Sequence, residues 1–166
     1  FTVFFAGLSA SNRQDVRGKN TTVPSWENIR FEASLVLIVD DVPDNLKFLA
    51  KILEHVGLRV VSATNGQEAL LALQKEIPDL VITDLRMPVM DGIELVGQIR
   101  RNEMWSKIPV VVASASVLQD TLAELKGEHF DGFLLKPLQI PTIINELKKF
   151  LKYQVQEGKV VAHPPR

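Results

Sequence analysis

Between residues 33 and 153 a short apolar run followed by a segment with helical spacing of its apolar side chains recurs five times. No other feature constrains the chain as strongly. Parallel strands cannot be joined by tight turns, so each strand needs a crossover, and a right-handed helical crossover returns the chain to the same sheet. The repeat therefore predicts an α/β fold, an open, doubly wound parallel sheet of five strands with helices on both faces.

The individual units are read as follows. The run Leu35–Val39 is apolar throughout, which suits a strand buried on both faces. A first helix follows Pro43-Asp44, places Leu49, Ile52, Leu53 and Val56 on one stripe, and stops at Gly57. The second strand covers about residues 58–63, Asn65 with Glu68 three residues on opens the second helix, and Pro78 bars that helix from continuing. The third strand, 80–83, terminates at Asp84; Asp91 with Glu94 caps a third helix whose basic end, Arg100-Arg101, suits the helix dipole. The fourth strand is 110–113 and the fourth helix 118–126. The fifth strand is Gly132–Leu135, and a fifth helix opening near Pro141 turns Ile143, Ile144, Leu147, Phe150 and Leu151 inward.

The polar residues at strand ends carry the chemistry. Asp40 and Asp41 follow the first strand, Asp84 the third, Ser114 the fourth and Lys136 the fifth. In an open α/β sheet these positions share one edge, and ligands bind there at the point where the strand order reverses. With strand order 2-1-3-4-5 the first and third strands are neighbours at that point, and three carboxylates meet in one crevice. Their repulsion calls for a counter-charge; a hard, oxygen-seeking divalent cation, Mg²⁺ above all, fits and leaves positions for phosphate oxygens. Lys136 and the Ser114 hydroxyl would approach a phosphoryl group from the side away from the metal. Phosphoryl transfer asks mainly for such positioning and charge neutralisation. A carboxylate can itself accept the group, and Asp84, between the acidic pair and the Ser/Lys side, is the expected acceptor. Taken singly, the aspartates could be turn or cap residues, Ser114 a turn former and Lys136 a solvated charge; their joint placement at four strand ends favours chemistry. Met87, Met90 and Leu95 read as packing, and His55, His129 and His163 follow no ligand spacing.

Val39-Asp40-Asp41, the stretch from Asp84 through Leu-Arg-Met-Pro-Val-Met-Asp to Gly92, Ser114-Ala115 and Phe133-Leu-Leu-Lys136-Pro137 resemble the receiver domains of two-component response regulators over residues 33–153. The resemblance implies a flavodoxin-like (βα)5 fold, with Asp84 accepting phosphate from a phosphohistidine on a histidine kinase or histidine phosphotransfer domain. It implies that Asp40, Asp41, Asp84 and the Arg86 backbone carbonyl hold Mg²⁺ and that Ser114 and Lys136 bind the phosphoryl oxygens. Ser114 and Phe133 would form a switch, the hydroxyl moving toward the phosphate and the aromatic ring rotating into the vacated space. The face made by the fourth helix, fifth strand and fifth helix would be the readout surface and a candidate homodimer contact. Ser114 stands where Thr is commoner in this family but keeps the hydroxyl, and Arg86 and Ser116 occupy the two positions that tune phosphate lifetime.

Composition narrows the setting. Nineteen basic against twenty acidic side chains leave a net charge of −1, which provides no overall field for nucleic acid or an anionic membrane. The chain has no cysteine, which excludes disulfides and thiolate chemistry and favours a cytoplasmic setting. No apolar run approaches the roughly 18 residues that cross a bilayer; any membrane anchor is expected in a parent chain outside this fragment. Residues 1–7 read as the remnant of a kinase ATP-binding domain, 8–32 as a linker in which Trp26, Ile29 and Phe31 either dock or stay loose, 33–153 as the receiver, and 154–166 as a polar tail. The expected parent is a hybrid sensor histidine kinase, the fragment itself being a signalling phosphoacceptor and not a multi-turnover enzyme. The alternatives are a receiver-like binding module that does not use phosphate and, lower, a haloacid-dehalogenase-type phosphohydrolase, whose Asp-x-Asp spacing Asp40-Asp41 lacks. No Gly-x-Gly-x-x-Gly follows the first strand, which removes support for dinucleotide binding.

Overall fold

A computed structural model describes residues 25–115 and 130–157. A 3₁₀ turn over Trp26–Asn28 leads into a short strand, β1 (Ile29–Phe31). The five-stranded sheet follows: β2 (Leu35–Val39), β3 (Arg59–Ala63), β4 (Leu80–Asp84), β5 (Val110–Ser114) and β6 (Gly132–Leu135). All its pairings are parallel and the spatial order is β3-β2-β4-β5-β6. Allowing for β1, which shifts the numbering by one, this is the predicted order 2-1-3-4-5. The described helices are α1 (Pro43–His55), α2 (Gly66–Lys75), α3 (Gly92–Arg101) and α4 (Ile140–Leu147), and a last strand, β7 (Tyr153–Val155), follows α4. The helix expected at 118–126, Ser116, His129, His163 and residues 1–7 lie outside the described residues.

The local signals act as the chemistry requires. The Asn65 side chain accepts from the Glu68 N–H at 2.9 Å, and the Glu68 carboxylate in turn accepts from the Thr64 N–H and hydroxyl, each at 2.8 Å. The Asp91 carboxylate accepts from the Glu94 N–H at 2.9 Å to start α3. Gly57 ends α1 with φ +95, in the left-handed region that a side chain rarely adopts. Strand alternation divides the core in two. Val36, Ile38, Leu80, Ile82 and Leu134 face α1 and α4, whereas Leu37, Val39, Val81, Val110 and Val112 face α2 and α3. Both faces are covered, so all five residues of β2 are buried. Leu151 joins the α1/α4 side as expected, four residues beyond the regular part of the helix.

Sequence reasoning did not foresee the pairing of β1 with β7. The two strands run antiparallel, with Ile29 opposite Val155, Arg30 opposite Gln154 and Phe31 opposite Tyr153. The ladder continues at both ends, where the Glu32 N–H donates to the Lys152 carbonyl at 2.9 Å and the Gln156 N–H to the Asn28 carbonyl at 2.7 Å. Ile29 (1% exposed) and Phe31 (6%) are buried in the α1/α4 core, and Trp26 packs against the same core with its ring centroid 5.8 Å from that of His55. These three residues therefore dock. Among the described residues no helix is long and apolar enough to cross a membrane.

Candidate functional site

Three strand ends bring charge together at one edge. Asp40 follows β2 and is 2% exposed. A buried carboxylate must be compensated, and Asp40 has three donors. Its Oδ1 accepts from the Val42 N–H at 2.8 Å, and its Oδ2 accepts from the Asn45 side-chain amide at 3.0 Å and from the Lys136 Nζ at 2.9 Å. Asp84 closes β4, its Oδ1 accepting from the Leu85 N–H at 2.7 Å and its Oδ2 lying 3.2 Å from the same Lys136 Nζ. Asp41 is exposed beside them, and one carboxylate oxygen from each of Asp40, Asp41 and Asp84 lies within 4.8 Å of the other two.

The surrounding backbone holds these groups in place. A Cβ at Gly92 would overlap the Asp84 carbonyl oxygen and lie 3.0 Å from Leu85 Cα, so only glycine lets α3 start this close to the acidic strand end. The loop between β4 and α3 is tied by the Gly92 N–H to the Leu85 carbonyl at 2.9 Å and by the Gly66 N–H to the Met90 carbonyl at 3.0 Å. Within it Val89 takes φ 71, unusual for a β-branched residue, and is 75% exposed. Ser114, 8% exposed, ends β5 one step beyond the Asp84–Ala113 pair, and its carbonyl accepts from the Lys136 N–H at 2.8 Å. The Lys136–Pro137 peptide is cis.

The electrostatics follow from this packing. Burial pushes the Asp84 carboxyl above its ordinary value and the charge of Asp40 adds to that, while Lys136 and the Leu85 N–H work against it. For Lys136 burial alone would lower the ammonium, but the hydrogen bond to Asp40 and the charges of Asp84 and Asp40 outweigh it and its pKa lies above the usual lysine value.

The structure thus gathers Asp40, Asp41, Asp84 and Lys136, and sets Ser114 at the end of the strand between β4 and β6. Arg86 is exposed and lines a hollow of about 390 Å³ with Asp41, Met87, Pro88 and Asp91. Phe133 is half-buried against the α2/α3 core, and Met87, Met90 and Leu95 pack on that same side. Asn45 was not singled out from the sequence. The available signal was its place four residues before Leu49 on the inward stripe of α1, where a polar side chain needs a partner. The three carboxylates offer only oxygen ligands, the kind a hard divalent cation takes.

Comparison with known proteins agrees with this geometry. Residues 36–148 match the family described as the response regulator receiver domain. The chain is 36% identical over 115 residues to the sensor histidine kinase GacS of Pseudomonas protegens, an alignment covering 68% of this chain and 12% of that protein. It is similar to the chemotaxis protein CheY4 of Vibrio cholerae, with a TM-score of 0.69, 30% identity, and coverage of 72% of this chain and 100% of that one. It also shares its fold with the receiver domain of sensor histidine kinase PA1611 from Pseudomonas aeruginosa, with a TM-score of 0.67, 24% identity, and coverage of 72% and 98%; that structure has a magnesium ion coordinated in its active site cleft. With its parallel sheet, its acidic strand-end cluster and the matched span 36–148, the chain belongs to the response regulator receiver domain family of two-component signalling.

Proposed function

We propose that Asp84 is the phosphoacceptor of this receiver, taking its phosphoryl group from a phosphohistidine. One observation carries the assignment: Asp84 lies within the three-carboxylate cluster and also within 3.2 Å of the Lys136 ammonium, between a cation-binding side and a cationic side. In the transfer the P–N bond to the donor imidazole breaks as a carboxylate oxygen of Asp84 forms the new P–O bond, and the imidazole leaves. Asp40, Asp41 and Asp84, with the Arg86 carbonyl, would hold Mg²⁺, which when bound supplies positive charge opposite Lys136. The Lys136 ammonium and the Ser114 hydroxyl bind the phosphoryl oxygens. Phosphorylation adds about 1.5 to 2 negative charges at Asp84, and the contacts to Ser114 and Lys136 then exist in one state only. That difference shifts a two-state equilibrium in which Phe133 follows Ser114. The readout face and homodimer contact would include residues 118–126.

The phosphodonor is a histidine kinase or a histidine phosphotransfer domain, and the setting is cytoplasmic. The similarity to GacS, of which this chain spans 12%, supports a hybrid sensor histidine kinase as the parent. In that arrangement residues 33–153 are the receiver, 8–32 a linker, 1–7 the end of the kinase ATP-binding domain and 154–166 the tail. Incubation with acetyl phosphate or phosphoramidate and Mg²⁺ should add the mass of one phosphoryl group, and Asp84→Asn should add none. No gain with either small donor or with a phosphorylated histidine kinase would make the phosphate-independent binding module the better reading. Steady phosphomonoester turnover that survives Asp84→Asn would make it a phosphohydrolase.

A further inference from the structure

The Oδ2 of Asp40 is shared between two donors of different kinds. Lys136 Nζ reaches it at 2.9 Å and also spans to Asp84 at 3.2 Å, whereas the Asn45 amide reaches it at 3.0 Å from the first turn of α1. In the site as proposed above, on which this inference rests, a phosphoryl group on Asp84 brings new anionic oxygens to Lys136, and the ammonium turns toward them. Asp40 then loses one of its three donors. At 2% exposure it cannot readily replace that donor with water.

The Asn45 side chain is placed to prevent this. Its own backbone N–H donates to the Val42 carbonyl at 3.1 Å, and the Val42 N–H donates to Asp40 Oδ1 at 2.8 Å, so both carboxylate oxygens are held from the start of α1. The amide carries no charge, so the phosphoryl group does not draw it away as it draws the ammonium. We propose that Asn45 is a positioning residue, which keeps the Asp40 carboxylate oriented for the cation while Lys136 moves between Asp40 and the phosphoryl oxygens. Partners of metal ligands in this outer position commonly alter metal affinity by about 10- to 100-fold when removed.

The test uses the full 166-residue chain with Asn45→Ala, Asn45→Leu, which keeps bulk without the donor, and Asn45→Gln, which keeps an amide. Lys47→Ala, two residues on in the same helix with a 79% exposed side chain, is the control. Mg²⁺ affinity is measured by titration calorimetry on unphosphorylated protein, phosphoryl incorporation from acetyl phosphate at limiting and saturating Mg²⁺ by intact mass, and folding by urea unfolding. Asn45→Ala and Asn45→Leu should weaken Mg²⁺ binding about tenfold or more, with the incorporation rate recovering at saturating Mg²⁺ and unfolding still cooperative. Asn45→Gln should recover most of the affinity, and Lys47→Ala should match the wild type. Mg²⁺ affinity unchanged in both donor-less variants, an equal loss in Lys47→Ala, or loss of cooperative unfolding in both variants would overturn the role. A wild-type chain that neither binds Mg²⁺ nor gains mass would instead overturn the site reading itself.

Discussion

Replacing Lys136 by methionine, which keeps the bulk and removes the charge, should destabilise the metal-free fold by about 3 kcal/mol at neutral pH. The ammonium lies 2.9 Å from one carboxylate oxygen and 3.2 Å from another, and its Asp40 partner is almost wholly buried. Opposite unit charges about 3 Å apart attract by roughly 5 kcal/mol at an effective dielectric near 20. The lysine side chain is 19% exposed, so regained hydration offsets part of this; removing one partner of a buried pair typically costs about 3 to 5 kcal/mol. In urea, with a slope near 1.5 kcal/mol per molar, the midpoint should fall by about 2 M, measured with a chelator present. The deficit should also depend on pH in a defined direction. Burial raises the Asp84 carboxyl, so the native state holds that proton more tightly than the unfolded chain. The stability this provides is complete below the ordinary value of 3.8 and is lost as pH rises through the raised native value. Removing Lys136 takes away the main opposing influence, so in Lys136→Met the loss extends to higher pH. The gap between variant and wild type should thus narrow as the pH is lowered toward 3.8. Adding Asp84→Asn to the variant should recover at least about 1 kcal/mol at neutral pH, because the two sites are coupled through direct contact. A variant as stable as the wild type at neutral pH, or a gap that widens on acidification, would refute this account of the site.

Two further substitutions probe the scaffold. Ile29→Ala should cost about 3 kcal/mol in chemical unfolding, since a side chain only 1% exposed loses three carbons and leaves a cavity; a cost below about 1 kcal/mol would mean that β1 is not docked. Gly92→Ala should cost about 3 kcal/mol or more, because its Cβ would meet backbone at Asp84 and Leu85 and not a yielding side chain. Acetyl phosphate labelling should slow in the same variant, and unchanged stability would show that α3 can shift away from the acidic strand end at no cost.

Much of this architecture was legible because its information is local. Leu35–Val39 and Gly132–Leu135 are strands with the expected bounds, since an apolar run between turn residues leaves little choice. β4 and β5 each run one residue further than their apolar pattern, because Asp84 and Ser114 pair with Ala113 and Leu135 as the final rungs of the ladder. A polar residue at a strand end looks like the start of a loop, yet these two belong to the sheet that aims them. The gathering of Asp40, Asp41, Asp84 and Lys136 followed from topology alone. β1 and β7 were not legible: each has three residues, and each becomes a strand only through a partner at the far end of the fold. Asn45 went unnoticed for the related reason that an asparagine in the first turn of a helix is ordinary until the buried acceptor above it is known.

The antiparallel β1–β7 ribbon has a mechanical consequence. Because the Gln156 N–H bonds the Asn28 carbonyl, residues 28 and 156 stand side by side, where the chain enters and leaves the described unit. Tension between residues 28 and 156 would load these rungs one after another, and would have to draw Ile29 out of the α1/α4 core before it reached Phe31. Adjacent ends also make such a unit easy to graft into a surface loop of another protein, where it would need almost no span to bridge.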